Sequence, residues 1–252
     1  MRKSIANYRI MEKNVKIFQS PYELATKVAE DLSDMINESA SFNKVFTVAF
    51  SGGSTPELLF KILGKHFADT VAWQYVHVFW GDERCVPPDD KESNFGMAMN
   101  TLLGRINIPS NNIHRINGEE EPEMETFRYS EEVSVNTKSR NGLPVFDLIL
   151  LGLGEDGHTA SIFPGHTDLF ESDRICEAAL HPDTRQKRIT LTGRVINNAK
   201  AVAFLVTGRN KAVVVENMFK NKPAALNYPA SFVVPSNGSL SWYMDKDAYS
   251  LM

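Results

Sequence analysis

One stretch constrains the fold of this chain more than any other: Val145 to Gly165, VFDLILLGLGEDGHTASIFPG. It opens as an apolar run, Val145 to Leu151, interrupted only by Asp147, with the length of a strand buried on both faces of a parallel sheet. Gly152, Gly154 and Gly157 then release the backbone from extended geometry, and Glu155, Asp156 and His158 are set into the turn they make. Thr159, Ala160 and Ser161 can start a helix that Pro164-Gly165 stops early, so the stretch predicts strand, glycine turn and short helix. Ligands in open α/β sheets bind at this carboxyl end of a strand. Taken alone, the string also suits a plain βα turn in which His158 bonds nearby backbone.

The pattern recurs. Val45 to Phe50 is a second buried-strand run, and it ends in Ser51-Gly52-Gly53-Ser54-Thr55-Pro56. Pro56 suits the first turn of a helix whose face continues through Leu58, Leu59, Ile62 and Leu63. The backbone N–H groups of Gly52 and Gly53, the Ser54 and Thr55 hydroxyls and the helix dipole then make an anion cradle. It lacks the GK[ST] ending of a nucleoside-triphosphate loop and points to a phosphomonoester, with an N-capped turn as the bland alternative. A third run, Tyr75 to Trp80, leads into Gly81-Asp82-Glu83-Arg84-Cys85. There Arg84 can clamp a phosphate and Asp82 can orient a sugar hydroxyl or water, unless the cluster is simply a solvated surface. Arg188 to Thr192 reads as a strand that begins on a cation, and Ala201 to Val206 as another that ends near Lys211. A hydroxyl-rich glycine turn, an arginine turn, a histidine turn and a lysine turn, all at strand ends, describe a pocket for a small phosphorylated molecule.

The remaining elements are read more coarsely. Val15 to Phe18 is a short strand, and Pro21 opens an amphipathic helix with Leu24, Val28, Leu32, Met35 and Ile36 on its core face. Ser93 caps a helix running to about Leu103, and the acidic stretch Gly118 to Glu125 is a solvated helix start. Glu177 to Arg188 is polar, Asn197 and Asn198 end a helix, and Phe232 to Val234 and Leu240 to Tyr243 are the last strands. Met218 and Trp242 belong to packing.

At 252 residues and 42% hydrophobic content the chain can bury one large core, and residues 1–252 are expected to form a single domain. A net charge of -4 gives no general attraction for nucleic acid or an anionic membrane. Cys85 and Cys176 form no CxxC pair, and the six histidines show no HExxH or HxH spacing, so neither a disulfide framework nor a metal site is expected. No apolar run approaches the ~20 residues of a membrane span, and the start, MRKSIANYRIMEKN, lacks the apolar centre of a secretory signal. A cytoplasmic protein, monomeric or weakly homo-oligomeric, is expected.

SGGSTPELLF, GDERCVPPDDKESNFGMA, LGLGEDGHTASIFPGH, KRITLT and LVTGRNKA, in this order along most of the chain, resemble the 6-phosphogluconolactonase family, and the GEDGHTASIFPG string is the most specific of them. The resemblance implies a single α/β domain, Rossmann-like and layered, with a central mostly parallel sheet flanked by helices, of the type shared with glucosamine-6-phosphate deaminase and ribose-5-phosphate isomerase. It implies hydrolysis of 6-phospho-D-glucono-1,5-lactone in the oxidative pentose phosphate pathway, without metal or organic cofactor. It assigns water activation to His158, which can take a proton from water and return it to the leaving ring oxygen. Asp156 or Glu155 would fix the imidazole tautomer, with Asp82 as a further catalytic candidate. Backbone N–H groups of the glycine turn would steady the oxyanion. Gly52, Gly53, Ser54, Thr55, Arg84, Arg188 and Lys211 would hold the 6-phosphate. Many members carry a lysine in a Pro-Lys-Pro segment where this chain has Pro182-Asp183-Thr184, so a cation there must come from Arg185 or Lys187 or be absent. The related deaminases carry GHIAFNEPG, with a glutamate where this chain has Phe163. Sugar-phosphate-sensing effector domains of the same fold usually carry an appended DNA-binding segment, and none is read here.

Overall fold

The apolar runs lie side by side in one sheet. The computed structural model describes residues 14–252, and the reading of the opening residues as lacking a secretory signal falls outside them. In chain order the strands of the main sheet are β1 (Asn14–Phe18), β2 (Phe46–Phe50), β3 (Val76–Trp80), β7 (Leu148–Leu151), β10 (Ala201–Val206) and β11 (Ser239–Asp245). They pair in the order β1-β11-β10-β7-β2-β3, and all pairs are parallel. Every residue of β2 and β7 is buried, as both faces of a parallel sheet require. A second, antiparallel sheet is built from β4 (Asp82–Arg84), β9 (Lys187–Leu191) and β8 (Cys176–Leu180), and β5 (Lys138–Arg140) pairs with β6 (Leu143–Val145) in a hairpin.

The helices are α1 (Pro21–Ser41), α2 (Ser54–His66), α3 (Asn94–Thr101), α4 (Pro122–Asn136), α5 (Gly193–Ile196) and α6 (Ala212–Phe219). The first shows why these segments are helical. Ser20 Oγ accepts from the Glu23 amide while the Glu23 carboxylate accepts from the Gln19 amide, so free N–H groups at the helix start are paired from both sides. Leu24, Val28, Leu32 and Ile36 fall on one face and are buried, whereas Met35 is half-buried at its margin. Each fully buried leucine or isoleucine stabilises the fold by about 1.5–3 kcal/mol. The core they join runs across the whole sheet, with Phe50 against Phe60 and Phe204 stacked on Trp242 at 4.0 Å. Among the described residues no helix is long and apolar enough to cross a membrane.

Five readings change. The run Val145 to Leu151 is two strands, broken at Phe146 and Asp147, where the Asp147 carboxylate accepts from the Thr47 amide (2.8 Å), the Thr47 hydroxyl and Lys200. No helix forms at Thr159 to Ser161. The chain doubles back there through a Thr159–Ile162 bridge, with Ala160 at φ 47. Phe232 to Val234 is not a strand; a short 3₁₀ helix, Pro229–Phe232, occupies the segment that proline opens. Finally, the polar stretch after Ile175 contains β8, and the acidic helix start is not fully solvated. Glu125 is buried, accepting from the Asn117 amide and from Arg128.

Candidate active site

The strand order places a crevice between β2 and β7. From β2 the chain passes through α2 to β3 on one side, and from β7 it travels to β10 on the other. The loops after these two strands therefore diverge, which is the geometry at which open α/β sheets bind ligands. A cavity of about 200 Å³ lies there. Ser51, Gly52 and Gly53 line it from the β2 loop, Gly152, Leu153, Gly154, His158 and Ala160 from the β7 loop. Asp82 and Arg84 on β4, Asn94 on α3, Arg188 on β9 and Lys211 after β10 complete it.

The β7 loop closes on itself. Gly154 N–H donates to His158 O at 2.9 Å and Gly157 N–H to Gly154 O at 3.1 Å, so these two amides are used inside the turn and an oxyanion donor from it must be another amide. Asp156 Oδ1 lies 2.6 Å from His158 Nδ1 and also accepts from the His158 amide. The pair is held with Nδ1 protonated toward the carboxylate, which leaves Nε2 as the basic nitrogen. Gly154 must be glycine, because a Cβ there would stand 2.1 Å from His158 Nδ1 and 2.4 Å from Asp156 Oδ1. Burial pushes the Asp156 carboxyl up, and the hydrogen bond and charge of His158 more than offset it, holding the group below its ordinary value. Glu155 turns away to Asn210 Nδ2 at 2.6 Å, with Lys211 at 3.9 Å.

The opposite wall is cationic. Arg84 and Arg188 are register partners across the antiparallel β4–β9 pair, so their side chains share one face. Burial and then the neighbouring Arg84 charge lower the Arg188 pKa, and burial lowers that of Lys211 against the pull of Glu155 and Asp156. Arg84 Nε, Arg188 Nε and Ser51 Oγ are buried without a hydrogen-bond partner among the described residues. The charged cluster after β3 is not solvated, since Asp82 and Glu83 are 6% and 2% exposed. Asp82 accepts from Ser161 Oγ at 2.6 Å. Glu83 accepts from the amides of Arg84, Asn94 and Phe95 and from Ser93 Oγ, anchoring the start of α3.

Of the residues singled out from sequence, His158, Asp82, Gly52, Gly53, Arg84, Arg188 and Lys211 line one cavity, and Asp156 stands behind His158. Ser54 and Thr55 do not line it. Ser54 is an exposed first residue of α2, and Thr55 Oγ1 pairs with Thr207 Oγ1 at 2.7 Å. Ser51 and Asn94 went unassigned. Ser51 belongs to the glycine string and was legible there, but Asn94 reads only as the residue after a helix cap. Lys187 faces away, lining a separate cavity with Glu121 at 3.7 Å, and Arg185 is exposed. Burial raises the thiols of Cys85 and Cys176 to about 11 and about 12, so neither is a nucleophile near neutrality. Among the described residues no group of three or more His, Cys, Asp or Glu is placed to hold a metal.

A family model described as glucosamine-6-phosphate isomerases/6-phosphogluconolactonase matches residues 19–242. The 6-phosphogluconolactonase of Haemophilus influenzae is 44% identical over 214 residues, covering 84% of this chain and 90% of that protein. Among solved structures, a devB protein superposes with a TM-score of 0.89 at 41% identity, covering 94% of this chain and 98% of the other. The 6-phosphogluconolactonase of Trypanosoma brucei superposes with a TM-score of 0.84 at 27% identity, over 95% and 98% of the two chains.

Proposed function

The chain belongs to the glucosamine-6-phosphate isomerase/6-phosphogluconolactonase family, and from that premise we propose that it hydrolyses 6-phospho-D-glucono-1,5-lactone to 6-phosphogluconate, the second step of the oxidative pentose phosphate pathway. The observation that carries the reading is the pairing, in one crevice, of a carboxylate-held imidazole with two register-matched arginines. Arg84, Arg188, Lys211 and the backbone amides of Gly52 and Gly53 hold the 6-phosphate. That remote binding fixes C1 of the ring near His158. His158 Nε2 takes a proton from water as its oxygen attacks C1, and the imidazolium returns the proton to the ring oxygen as the C1–O bond breaks. Asp156 keeps the imidazole in the tautomer this needs and stabilises the cation formed. Phe163 argues against the sister deamination chemistry. It is buried between the rings of His158 and His181, at 4.9 and 5.0 Å, where the deaminase motif has a carboxylate.

The test is kcat for His158→Gln against wild type at pH 7, corrected for spontaneous lactone hydrolysis. A loss of about 10²–10⁴-fold with KM little changed is expected. Retention of more than about a tenth of the wild-type kcat overturns the role of His158 and returns Asp82 to consideration.

A further inference from the structure

The turn that presents Asp156 and His158 has an outer side, and that side rests on Tyr228. Gly157 sits at φ +85, and a Cβ built on it would lie 2.4 Å from Tyr228 Cγ, 2.5 Å from Cδ1 and 2.6 Å from Cβ. The tyrosine is therefore pressed against backbone at a distance only a glycine hydrogen allows. A second link joins the same two segments, since the Ala230 amide donates to Gly157 O at 3.0 Å.

Tyr228 is itself fixed. Two short 3₁₀ helices opened by prolines, Pro223–Asn227 and Pro229–Phe232, flank it, and proline pre-sets the backbone at the start of each. Its hydroxyl accepts from Asn217 Nδ2 at 2.9 Å. Asn217 lies in α6, which begins directly after Lys211. The segment after α6 thus forms a bracket whose one end shares a helix with the Lys211 turn and whose other end bears on the residue next to His158. Nothing in the hydrolysis proposed above uses it, and Tyr228 does not line the cavity.

We propose that Tyr228 is a positioning residue for lactone hydrolysis: its ring braces Gly157 so that the Asp156–His158 pair stays aimed at the reacting carbonyl. The proposal rests on the reading of His158 as the base. The Asp156 and Gly154 contacts hold the imidazole relative to its own turn, and the Tyr228 and Ala230 contacts hold the turn relative to the rest of the protein. Misplacement of a catalytic group by about 1 Å can cost roughly 10²-fold in rate, so a brace on this turn should appear in kcat and not in phosphate binding.

The experiment measures kcat and KM for wild type, Tyr228→Leu, Tyr228→Phe, His158→Gln and the His158→Gln/Tyr228→Leu double variant, each checked for folding by circular dichroism. Tyr228→Leu should lower kcat roughly 10- to 100-fold with KM within about twofold. Tyr228→Phe, which keeps the ring, should retain at least about half of kcat. In the double variant the Tyr228 substitution should cost less than about a further twofold, because its partner in catalysis is already gone. Losses that multiply, a loss that falls in KM, or a Phe variant as impaired as the Leu variant overturns the positioning role. Tyr228→Met carries the same comparison if the leucine variant does not fold. The His158→Gln variant by itself decides the underlying reading. A large loss there beside an unchanged Tyr228→Leu defeats only the brace, whereas an active His158→Gln defeats the role of His158 and the brace with it.

Discussion

Replacing Arg188 by methionine should move stability and ligand binding in opposite directions. Arg188 faces Arg84 directly across the β4–β9 pair, and burial with the neighbouring charge already lowers its pKa. Without ligand, the like-charged pair costs on the order of 0.2–1 kcal/mol, by analogy with the size of cross-strand charge effects. Methionine keeps much of the buried stem and removes the charge, so the unliganded protein should melt higher by about 0.4–4 °C, given about 2–4 °C per kcal/mol in a chain of this size. Binding should suffer. Losing one buried partner of a charge pair typically costs about 2–5 kcal/mol, or roughly 30- to 4,000-fold in Kd. The assay is a thermal melt with and without the product, 6-phosphogluconate, at about 100 times the wild-type Kd. There the wild type gains about 2.7 kcal/mol, or about 5–11 °C. At the same concentration the variant, even with only a 30-fold weaker Kd, gains at most about 0.9 kcal/mol, or about 2–4 °C. A variant that melts lower than wild type when unliganded, yet keeps the full product-induced shift, refutes the assignment of Arg188 to the phosphate.

Two further substitutions probe the scaffold of the site. Asp156→Asn should lower kcat by roughly 10²–10⁴-fold by removing the carboxylate that fixes the His158 tautomer. Because the folded-state pKa of Asp156 is depressed, its stabilising contribution is present above the ordinary value of 3.8 and lost as pH falls through the folded value, so the melting difference between wild type and variant should hold from pH 5 to 8 and close below about pH 3.8. Glu83→Gln turns an amide NH₂ toward donors that now bond a carboxylate, and should cost about 1–3 kcal/mol, with a lower melting temperature and a raised KM as Arg84 and Asn94 lose their anchor. An unchanged melt for that variant would show that the start of α3 does not depend on the charge.

The parallel sheet was legible because its signal is local. Val45 to Phe50 and Ala201 to Val206 are short apolar runs closed by glycine, and such runs in an α/β chain have few other places to go. Their ends carried the site for the same reason, since the topology collects strand ends. What failed to show was whatever depends on a partner distant in sequence. Asp147 interrupts the run where its carboxylate caps the Thr47 amide and hydroxyl and meets Lys200, and neither residue lies near it in sequence. Asp82-Glu83-Arg84 reads as ligand-binding with solvated surface as its alternative, and what the sequence does not show is that β9 pairs with it and that α3 places amides on Glu83. Thr55 reads as an anion ligand, and nothing near it in sequence shows that its hydroxyl meets that of Thr207. Asn94 had no motif at all. It enters the cavity because its backbone is tied to Glu83 and its side chain donates to Asp82 O.

Several departures from good local structure lie where the chemistry is proposed. Arg84 stands opposite Arg188, three buried polar atoms of pocket residues lack a partner among the described residues, and Ala160 occupies a left-handed conformation that costs an alanine about 1–2 kcal/mol. A chain selected for stability alone would place an acid opposite Arg188 and a glycine at position 160. A phosphate dianion between the arginines converts the first two costs into favourable terms, because it replaces repulsion with two attractions and supplies acceptors for buried donors. On the proposed reading, a gain realised only by a phosphorylated ligand serves selection, and one that acts at a distance from the reacting carbon serves orientation. In the proposed mechanism the same wall would repel the imidazolium formed at His158, were Asp156 not 2.6 Å from it to balance that charge. On the proposed reading, phosphate recognition and proton transfer form a single electrostatic arrangement, in which cations holding the substrate would call for a carboxylate behind the histidine.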